Sequence, residues 1–352
     1  MSDKKVLLVV GGDCGGAERI TILYGKILKK AGFDITLLVY TPQVQSDYPL
    51  KHFIPADWCV ELITGKFRKY PFKLLRIIRK YKPDIVFSSS SYSAQFSILF
   101  KLFHLTKAKV IVRENTSPTR KSKIRCRFSH LLYPHAFAVI AQTKEMKDEM
   151  TKFYKMKDSQ IIVINNPLDI EQIQIKSKEH FPFDHNYTNY VAIGRLATPK
   201  DYPTLLNAFA IVHKANLNTR LYIVGGCESN KKKEELEQII QYNSLSNSVF
   251  FEGFQPNPYK YLRWCDVFCL SSSIEGLPNV LLEALYLHKP VVATRCVPFV
   301  TQVVKEGRNG YTCNVKDSKA FAKAMMNSIS LIGKDVAFVH KTEEDVIKIF
   351  EK

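Results

Sequence analysis

Short apolar runs alternate with helical stretches along most of the 352-residue sequence, and the alternation occurs in both halves. Strands are predicted at 6–10, 34–40, 84–88, 109–113, 136–141, 190–194, 220–224, 249–251, 267–270 and 291–294. Strands that alternate with helices form βαβ units, which build parallel sheets. Because the chain is longer than one typical domain, the sequence predicts two α/β domains, joined by a polar, irregular stretch at 171–189.

The sequence shows neither an export signal nor a membrane-spanning run. The apolar run near the N-terminus ends at Gly11-Gly12, which makes it too short for a signal peptide. No apolar run approaches the length of about 18 residues that a transmembrane helix needs. The eight cysteines form no CxxC pair, which argues against a zinc site. We therefore expect a cytoplasmic protein whose cysteines are reduced.

The most specific feature of the sequence follows the predicted strand at 267–270. The string Glu275-Gly-Leu-Pro-Asn-Val-Leu-Leu-Glu283 places two glutamates eight residues apart. Pro278 suits the first turn of a helix, so Glu275 should precede that helix and Glu283 should lie two turns into it. Free N–H groups at a helix start favour a phosphate or a sugar hydroxyl, and a carboxylate can accept hydrogen bonds from a ribose diol. Two glutamates alone would favour the alternative, a surface residue followed by an ordinary amphipathic helix.

The whole string resembles the Glu-x7-Glu motif of GT4-type retaining glycosyltransferases, which have the GT-B fold and serve bacterial polysaccharide and lipid-linked oligosaccharide synthesis. By this resemblance, Glu275 is a catalytic residue that contacts the donor sugar, and Glu283 binds the ribose. The intervening donor-binding residues, which are implied to meet the sugar or the diphosphate, are Gly276, Leu277, Pro278, Asn279 and Val280. The resemblance covers nearly the whole chain.

A second match follows the predicted strand at 190–194 and reads Gly194-Arg195-Leu-Ala-Thr-Pro-Lys200. An Arg and a Lys five residues apart in one loop can converge on a diphosphate, the Arg as a planar fork and the Lys as a mobile point charge. In the family this pair neutralises the leaving diphosphate, so the resemblance gives Arg195 and Lys200 that catalytic role and places Gly194 with the donor. Taken alone, the pair would equally be surface charge. Gly253 and Phe254 are implied to lie near the nucleotide base.

The loop after the first strand contains Gly15-Gly16-Ala-Glu18. It is not a G-x-G-x-x-G sequence, so a nicotinamide or flavin site is not supported. GT4 enzymes often carry Gly-Gly-Ala-Glu beside the donor phosphate and the acceptor, and this resemblance assigns Gly15 and Gly16 to donor binding. Glycines and a helix start suit an approaching anion, but a tight turn needed only for packing is the alternative.

The sequence departs from the family after the predicted strand at 109–113. Many relatives have a His there that faces the donor sugar, whereas this chain continues Arg113-Glu114-Asn115. These three residues are the candidates for the acceptor and sugar niche. The alternative is that Arg113 is a structural ion-pair partner of a nearby carboxylate.

Positive charge is concentrated in the first half of the chain. The net charge is +18, and residues 1–170 carry 29 Lys and Arg against 14 Asp and Glu. The segment 66–82 holds eight cations and no acid among apolar residues, and 120–127 holds five more cations. This pattern suits an anionic membrane surface, nucleic acid or a solvated helix face. Since the first GT-B domain binds the acceptor in the family, we expect a lipid-linked glycan acceptor, peripheral association with the inner face of the cell membrane, and no nucleic acid.

The sequence as a whole predicts an α/β protein of the GT-B fold, with two Rossmann-like domains facing across a cleft. The acceptor-binding domain should span 1–175 and the nucleotide-sugar-binding domain 176–335, with a helix in 336–352 that crosses back to the first domain. The expected reaction transfers a hexose or N-acetylhexosamine from a nucleoside-diphosphate sugar, with UDP favoured, to an acceptor hydroxyl with retention, in cell-surface polysaccharide synthesis. No cofactor and no metal are expected. A nucleotide-sugar epimerase of the same fold and a nucleic-acid-binding protein are the alternatives.

Overall fold

The chain folds into two compact α/β units. The computed structural model describes residues 4–12, 15–42, 48–115, 118, 123–180, 183–334 and 342–352. Unit 1 comprises Met1–Pro167 and Lys341–Lys352, and unit 2 comprises Leu168–His340. The sequence pattern places the corresponding borders at 175 and 335.

Unit 1 is built on a parallel sheet. Its strands are β1 (Lys5–Gly11), β2 (Asp34–Thr41), β3 (Cys59–Thr64), β4 (Ile85–Ser88), β5 (Lys109–Arg113), β6 (Ala138–Ala141) and β7 (Ile161–Val163). Across the described residues their order is β3-β2-β1-β4-β5-β6-β7, with parallel neighbours throughout. The chain order reverses between β1 and β4, which is where open sheets of this kind bind ligands.

Helices cover both faces of this sheet. They are α1 (Gly16–Lys30), α2 (Tyr70–Tyr81), α3 (Ser91–Leu102), α4 (Lys123–Leu132) and α5 (Lys144–Tyr154). The first strand shows why the sheet needs two covers. Val6, Leu8 and Val10 pack in one hydrophobic cluster with α1, whereas Leu7 and Val9 pack in another with α2. Successive strand side chains point to opposite faces, so an unbroken apolar run specifies a strand buried on both sides.

Unit 2 repeats this plan with its own sheet. Its strands are β8 (Thr188–Ile193), β9 (Thr219–Val224), β10 (Val249–Gly253), β11 (Val267–Leu270), β12 (Val291–Thr294) and β13 (Gly310–Cys313). Within the described part of the unit they lie in the order β10-β9-β8-β11-β12-β13, again with parallel neighbours. The chain order reverses between β8 and β11, so loops after these two strands should meet.

The helices of unit 2 are α6 (Ile170–Lys176), α7 (Tyr202–Ala215), α8 (Asn230–Tyr242), α9 (Tyr259–Trp264), α10 (Asn279–Tyr286), α11 (Pro298–Val303) and α12 (Ser318–Ser328). The prediction of an irregular stretch at 171–189 is wrong at its start, where α6 lies. Asp169 caps this helix by accepting a hydrogen bond from the Gln172 N–H at 3.2 Å, and Ile173 is fully buried. A cap and one buried anchor fix this short helix although its composition is polar.

The last helix, α13 (Glu343–Glu351), packs in unit 1. Its Val346, Ile349 and Phe350 are buried in the same hydrophobic cluster as α1. The Phe350 ring lies 6.5 Å from that of Tyr24 and 5.4 Å from that of Phe87, measured between centroids. The end of the chain therefore completes the core of unit 1.

Candidate functional site

The loops that carry the predicted donor residues of unit 2 meet at the carboxyl ends of β8 and β11. Gly194, Arg195 and Lys200 follow β8, and a single 3-10 turn, Thr198–Lys200, presents the lysine. Glu275 lies in the loop that follows β11. Because these two strands are neighbours at the point where the chain order reverses, side chains 75 residues apart in the sequence come into contact.

Lys200 and Glu275 form an ion pair, with 2.7 Å between Nζ and Oε1. The hydroxyl of buried Ser272 donates to the same carboxylate oxygen at 2.8 Å, and the hydroxyl of Ser271 donates to the Lys200 carbonyl at 2.8 Å. The Lys200 and Glu275 side chains are 25% and 16% exposed, so both groups are partly shielded but still open to a ligand. The structure thus places a cation and a carboxylate in one fixed arrangement at this edge.

Two glycines make room for the lysine. A Cβ at Gly194 would lie 2.7 Å from Lys200 Cε, and a Cβ at Gly225 would lie 2.0 Å from the Gly194 carbonyl oxygen. The Lys200 stem therefore lies across Gly194, against which the loop after β9 packs. Arg195 is exposed, and its side chain makes no ion pair or hydrogen bond with any described residue. The two predicted diphosphate ligands differ in this respect, since Lys200 already holds Glu275.

The helix after Glu275 begins later than the sequence suggests. Pro278 is the N-cap residue of α10 and lies just before the first turn. Glu283 consequently lies little more than one turn into the helix, and the prediction of two turns is wrong. Pro278 has no N–H, so the donors of this stretch come from its neighbours. The hydroxyl of buried Tyr259 reaches Glu283 Oε1 at 3.5 Å, which ties this carboxylate to α9.

The loops after β9 and β10 meet beside this edge. Gly253 has a φ of 65°, a conformation that glycine adopts without strain, and its carbonyl accepts a hydrogen bond from the Gly225 N–H at 2.8 Å. The Phe254 side chain is 66% exposed, and its Cβ lies 3.7 Å from where a Cβ would stand on Gly226. An exposed aromatic ring beside glycines offers a flat surface on which a planar base can stack.

In unit 1, the predicted glycines stand at the start of α1. Gly15 is the N-cap residue and Gly16 the first residue of the helix. A Cβ on Gly15 would lie 2.6 Å from Glu18 Oε2, so the Glu18 carboxylate folds back over the helix start. A carboxylate in the first turn interacts favourably with the positive end of the helix dipole and so stabilises the helix. Any phosphate at this position would share the helix start with Glu18.

Arg113, at the end of β5, is the largest fully buried side chain of the described chain and is only 2% exposed. Its guanidinium donates to the side-chain oxygens of Asn115 and Asn166. Asn115 in turn donates to the Ser89 carbonyl at 2.6 Å. Burial lowers the pKa of Arg113, and burial raises the pKa of the adjacent Tyr24 to about 12. Arg113 therefore holds together the loops after β4, β5 and β7.

Glu114 is buried beside this network, at 3% exposure. Its backbone carbonyl accepts a hydrogen bond from the Gln142 side chain at 3.0 Å, and Gln142 Oε1 accepts one from Asn166 at 3.5 Å. Sequence reasoning did not single out Tyr24, Gln142 or Asn166 as members of this cluster. The signal that could have found two of them is a polar residue shortly after an apolar strand, as at Gln142 directly after β6 and Asn166 three residues after β7.

The surface of unit 1 is basic and carries exposed aromatic rings. In the segment 66–82, all eight Lys and Arg side chains are exposed, together with Phe67 at 43% and Phe72 at 77%. The second basic segment lies in part outside the described residues, since 120–122 and the side chains of 123–125 are not among them. No helix of the described chain combines the length and hydrophobicity of a membrane span. No group of three or more His, Cys, Asp or Glu side chains placed to hold a metal ion is present in those residues.

Comparison with known families matches both halves of the chain. The model described as Glycosyltransferase Family 4 matches residues 14–172, and the model described as Glycosyl transferases group 1 matches residues 173–344. The border between the two matches falls within a few residues of the border between units 1 and 2.

Individual relatives cover most of the chain. An uncharacterized glycosyltransferase of Methanocaldococcus jannaschii is 33% identical over 323 residues, which are 84% of this chain and 76% of that protein. The N-acetylgalactosamine-N,N'-diacetylbacillosaminyl-diphospho-undecaprenol 4-alpha-N-acetylgalactosaminyltransferase of Campylobacter jejuni is 26% identical, with 80% of this chain and 77% of that protein covered.

A solved structure shares the fold of the whole chain. HepE of Anabaena, in complex with UDP, superposes with a TM-score of 0.76 at 19% identity, and the match covers 99% of this chain and 98% of HepE. At this identity the likeness speaks for the fold alone. It confirms the prediction of an α/β protein with the two Rossmann-like halves of the GT-B fold.

Proposed function

Because this chain belongs to the GT4-type glycosyltransferases of the GT-B fold, we propose that it transfers a hexose or N-acetylhexosamine from a UDP-sugar to a hydroxyl of a lipid-linked glycan. The transfer proceeds with retention and serves the synthesis of a cell-surface polysaccharide. The observation that carries the proposal is the Lys200–Glu275 pair at the carboxyl ends of β8 and β11, directly before α10.

The donor lies along the edge of unit 2, from the base to the sugar. Glu283 accepts hydrogen bonds from the ribose diol, with Tyr259 holding its carboxylate in place. Phe254 stacks on the base. The diphosphate meets Arg195, Lys200 and the N–H groups at the start of α10, since a helix start favours anions. Glu275 then faces the sugar, because it precedes the helix and lies 2.7 Å from the lysine.

Charge stabilisation is the chemical core of the proposed reaction. As the bond between the sugar and the diphosphate breaks, negative charge grows on the leaving diphosphate. Preplaced cations and backbone N–H groups stabilise such charge without reorganising during the step. Lys200 is held by its ion pair with Glu275 and by the packing of its stem against Gly194. Exposed Arg195 can move onto the diphosphate when the donor binds. We propose that these groups supply the positive charge and that no metal is needed, in which case EDTA should leave the rate unchanged.

The proposal for the acceptor is based on the surface of unit 1. Exposed cations between Phe67 and Phe72 suit a surface of anionic phospholipids, with each cation contributing on the order of 1 kcal/mol. The relative from Campylobacter jejuni is named for an acceptor linked to diphospho-undecaprenol. Both observations favour a lipid-linked acceptor and a protein that binds the inner face of the cell membrane peripherally.

A thermal-shift panel of UDP-, GDP- and ADP-sugars tests the donor part of the proposal. A donor at about 100 times its Kd should stabilise the protein by roughly 2.7 kcal/mol. Glu283→Ala should abolish this shift while the protein remains folded. The control is Glu237→Ala, which removes a partly exposed glutamate that pairs with Lys233 on α8. If no nucleotide sugar raises the melting temperature of the wild-type protein, the proposed function is wrong.

The acceptor and the stereochemistry need a separate assay. Mass spectrometry of a polyprenyl-diphosphate-linked glycan should show the addition of one sugar, and NMR of the product should show the anomeric configuration of the donor. An inverted product would refute retention. Release of a converted nucleotide sugar without any acceptor would instead indicate an epimerase.

A further inference from the structure

Unit 1 contains a cavity at the amino ends of its strands, the end opposite to the predicted chemistry. Its volume is about 620 Å³. It lies among the residue before β1, the turn between α2 and β4, and the turn between α3 and β5. A volume of this size falls within the range of small-molecule sites.

The lining of this cavity is strongly basic. Its cations are Lys4, Arg79, Lys82, Lys107 and Lys109, with His104 beside them. One acid, Asp84, also lines it, but Asp84 Oδ2 already accepts a hydrogen bond from the Lys5 N–H at 2.8 Å at the start of β1. This bond ties the Asp84 carboxylate to the start of β1. Its single charge offsets only one of the five cations, so the lining keeps a net positive charge.

The cations of the cavity differ from three other lysines of unit 1. Lys29, Lys80 and Lys147 each form an ion pair with a carboxylate. By contrast, Arg79 and Lys107 form no ion pair with any residue that the structure describes, nor does Lys82.

The remaining two lysines of the lining contact backbone oxygens. Lys4 Nζ donates to the carbonyls of Phe350 and Glu351, and Lys109 Nζ donates to the backbone oxygen of Lys352 at 2.5 Å. Cations around one cavity repel one another, and a bound anion would relieve this repulsion.

The shape and chemistry of the cavity select the ligand class. Buried Ile78, Pro83 and Ile85 form apolar lining between the charged groups. A phosphate group carries up to two negative charges and several acceptor oxygens, which match the fork of Arg79 and the point charge of Lys107. We propose that this cavity binds a phosphate-bearing ligand, either a free phosphorylated molecule or the headgroup of a phospholipid.

The site is separate from the donor site. Lys109 begins β5 and Arg113 ends it, so about 13 Å of strand separates the cavity from the Arg113 cluster. The cavity lies wholly within unit 1, whereas the proposed diphosphate ligands lie in unit 2. The inference therefore does not depend on the proposed donor site.

Hydrogen exchange and calorimetry with two probes test the proposal. Pyrophosphate represents the free ligand, and vesicles of phosphatidylcholine with or without phosphatidylglycerol represent the lipid. Either pyrophosphate or the phosphatidylglycerol vesicles should slow amide exchange in 78–85 and 104–109. Protection by pyrophosphate assigns the site to a free ligand, and protection only by phosphatidylglycerol vesicles assigns it to a headgroup. If neither probe protects these peptides, the proposal is overturned.

Variants separate this site from the donor site. The double variant Arg79→Gln and Lys107→Gln should bind the protecting probe about tenfold more weakly, or weaker still. The matched control is Arg263→Gln with Lys323→Gln, which removes the same charge from exposed positions of unit 2 and should change nothing. Arg195→Ala with Lys200→Ala should keep the protection of 78–85. Equal affinity of the protecting probe for the wild type and the Arg79 and Lys107 variant would contradict the proposal, whatever the donor assays show.

Discussion

Glu275→Gln is the change that most directly tests the donor edge, which is the carboxyl-terminal edge of the unit 2 sheet with Arg195, Lys200 and Glu275. The substitution keeps the size of the side chain but removes the negative charge of the carboxylate. That carboxylate binds Lys200 Nζ at 2.7 Å and accepts a hydrogen bond from the Ser272 hydroxyl at 2.8 Å. Since Lys200 is 25% exposed, it can turn to water, and the free energy of unfolding should fall by no more than about 2 kcal/mol. The protein should therefore remain folded.

The kinetic effect should be larger than the effect on folding. A hydrogen bond to a charged group contributes about 1.5–3 kcal/mol. If the Glu275 carboxylate meets the sugar in the transition state, its loss should lower kcat/KM by about 10- to 150-fold. The affinity for UDP alone should stay the same or increase, because Lys200 is released from the carboxylate and is free to bind phosphate.

The comparison with Lys200→Gln makes this reasoning refutable. That variant should weaken UDP binding by about tenfold or more, because it removes a cation from the diphosphate. Steady-state kinetics with the UDP-sugar found in the thermal-shift panel, and calorimetry with UDP, measure both effects. The control is Glu306→Gln, because the Glu306 carboxylate accepts two hydrogen bonds from Thr312, six residues away in the sequence. Equal loss of UDP affinity in both variants would show that Glu275 acts only by holding Lys200.

Three further predictions concern unit 1. Phe350→Ala removes a buried ring of α13 and should destabilise unit 1 by about 3–5 kcal/mol, while amide exchange in unit 2 stays unchanged. Arg113→Met leaves the side-chain oxygens of buried Asn166 and partly exposed Asn115 without their donor and should cost about 1–3 kcal/mol in urea unfolding, and a loss below about 1 kcal/mol would contradict the network. The pKa of Tyr24 is raised from 10.0 to about 12, so the folded state favours the neutral phenol. Its contribution to stability should be present below about pH 10 and be lost as the pH rises towards 12, and Tyr24→Phe should flatten this alkaline loss in circular dichroism.

The donor edge was predictable because its chemistry is local in the sequence. Gly194 to Lys200 is one loop after β8, and Glu275 to Glu283 is one loop and helix after β11. In a sheet whose strand order reverses beside its first strand, β8 and β11 are neighbours, and this topology alone brings the two loops together. The exact start of α10 was not predictable, because a proline suits both the N-cap position seen here and the first turn.

The cluster around Arg113 was not predictable from one sequence. Its members come from separate loops, and Arg113 and Asn166 are 53 residues apart. Helix α3 was missed for a local reason, since its serines weaken the amphipathic pattern. In the structure Ser93 and Ser97 are buried, and the Ser97 hydroxyl donates to the Ser93 carbonyl at 2.8 Å. Strands β3 and β7 were missed because each lies at an edge of the sheet, where apolar runs are short or interrupted by polar residues.

The two sheets share the strand order of their first six strands, but Lys200 and Arg113 have different surroundings. This difference distinguishes a side chain that can bind a ligand from one that stabilises the loops. Lys200 is paired with a single carboxylate and remains partly exposed, so a diphosphate can reach its ammonium group. Arg113 is buried and donates to two amide side chains, so a ligand could reach it only by breaking the contacts that join three loops. We therefore infer that Arg113 supports the acceptor side without touching a substrate, and that partly exposed Asn115 is the better candidate for contact. Under this inference an Asn115 variant changes KM for the acceptor, whereas an Arg113 variant changes stability first.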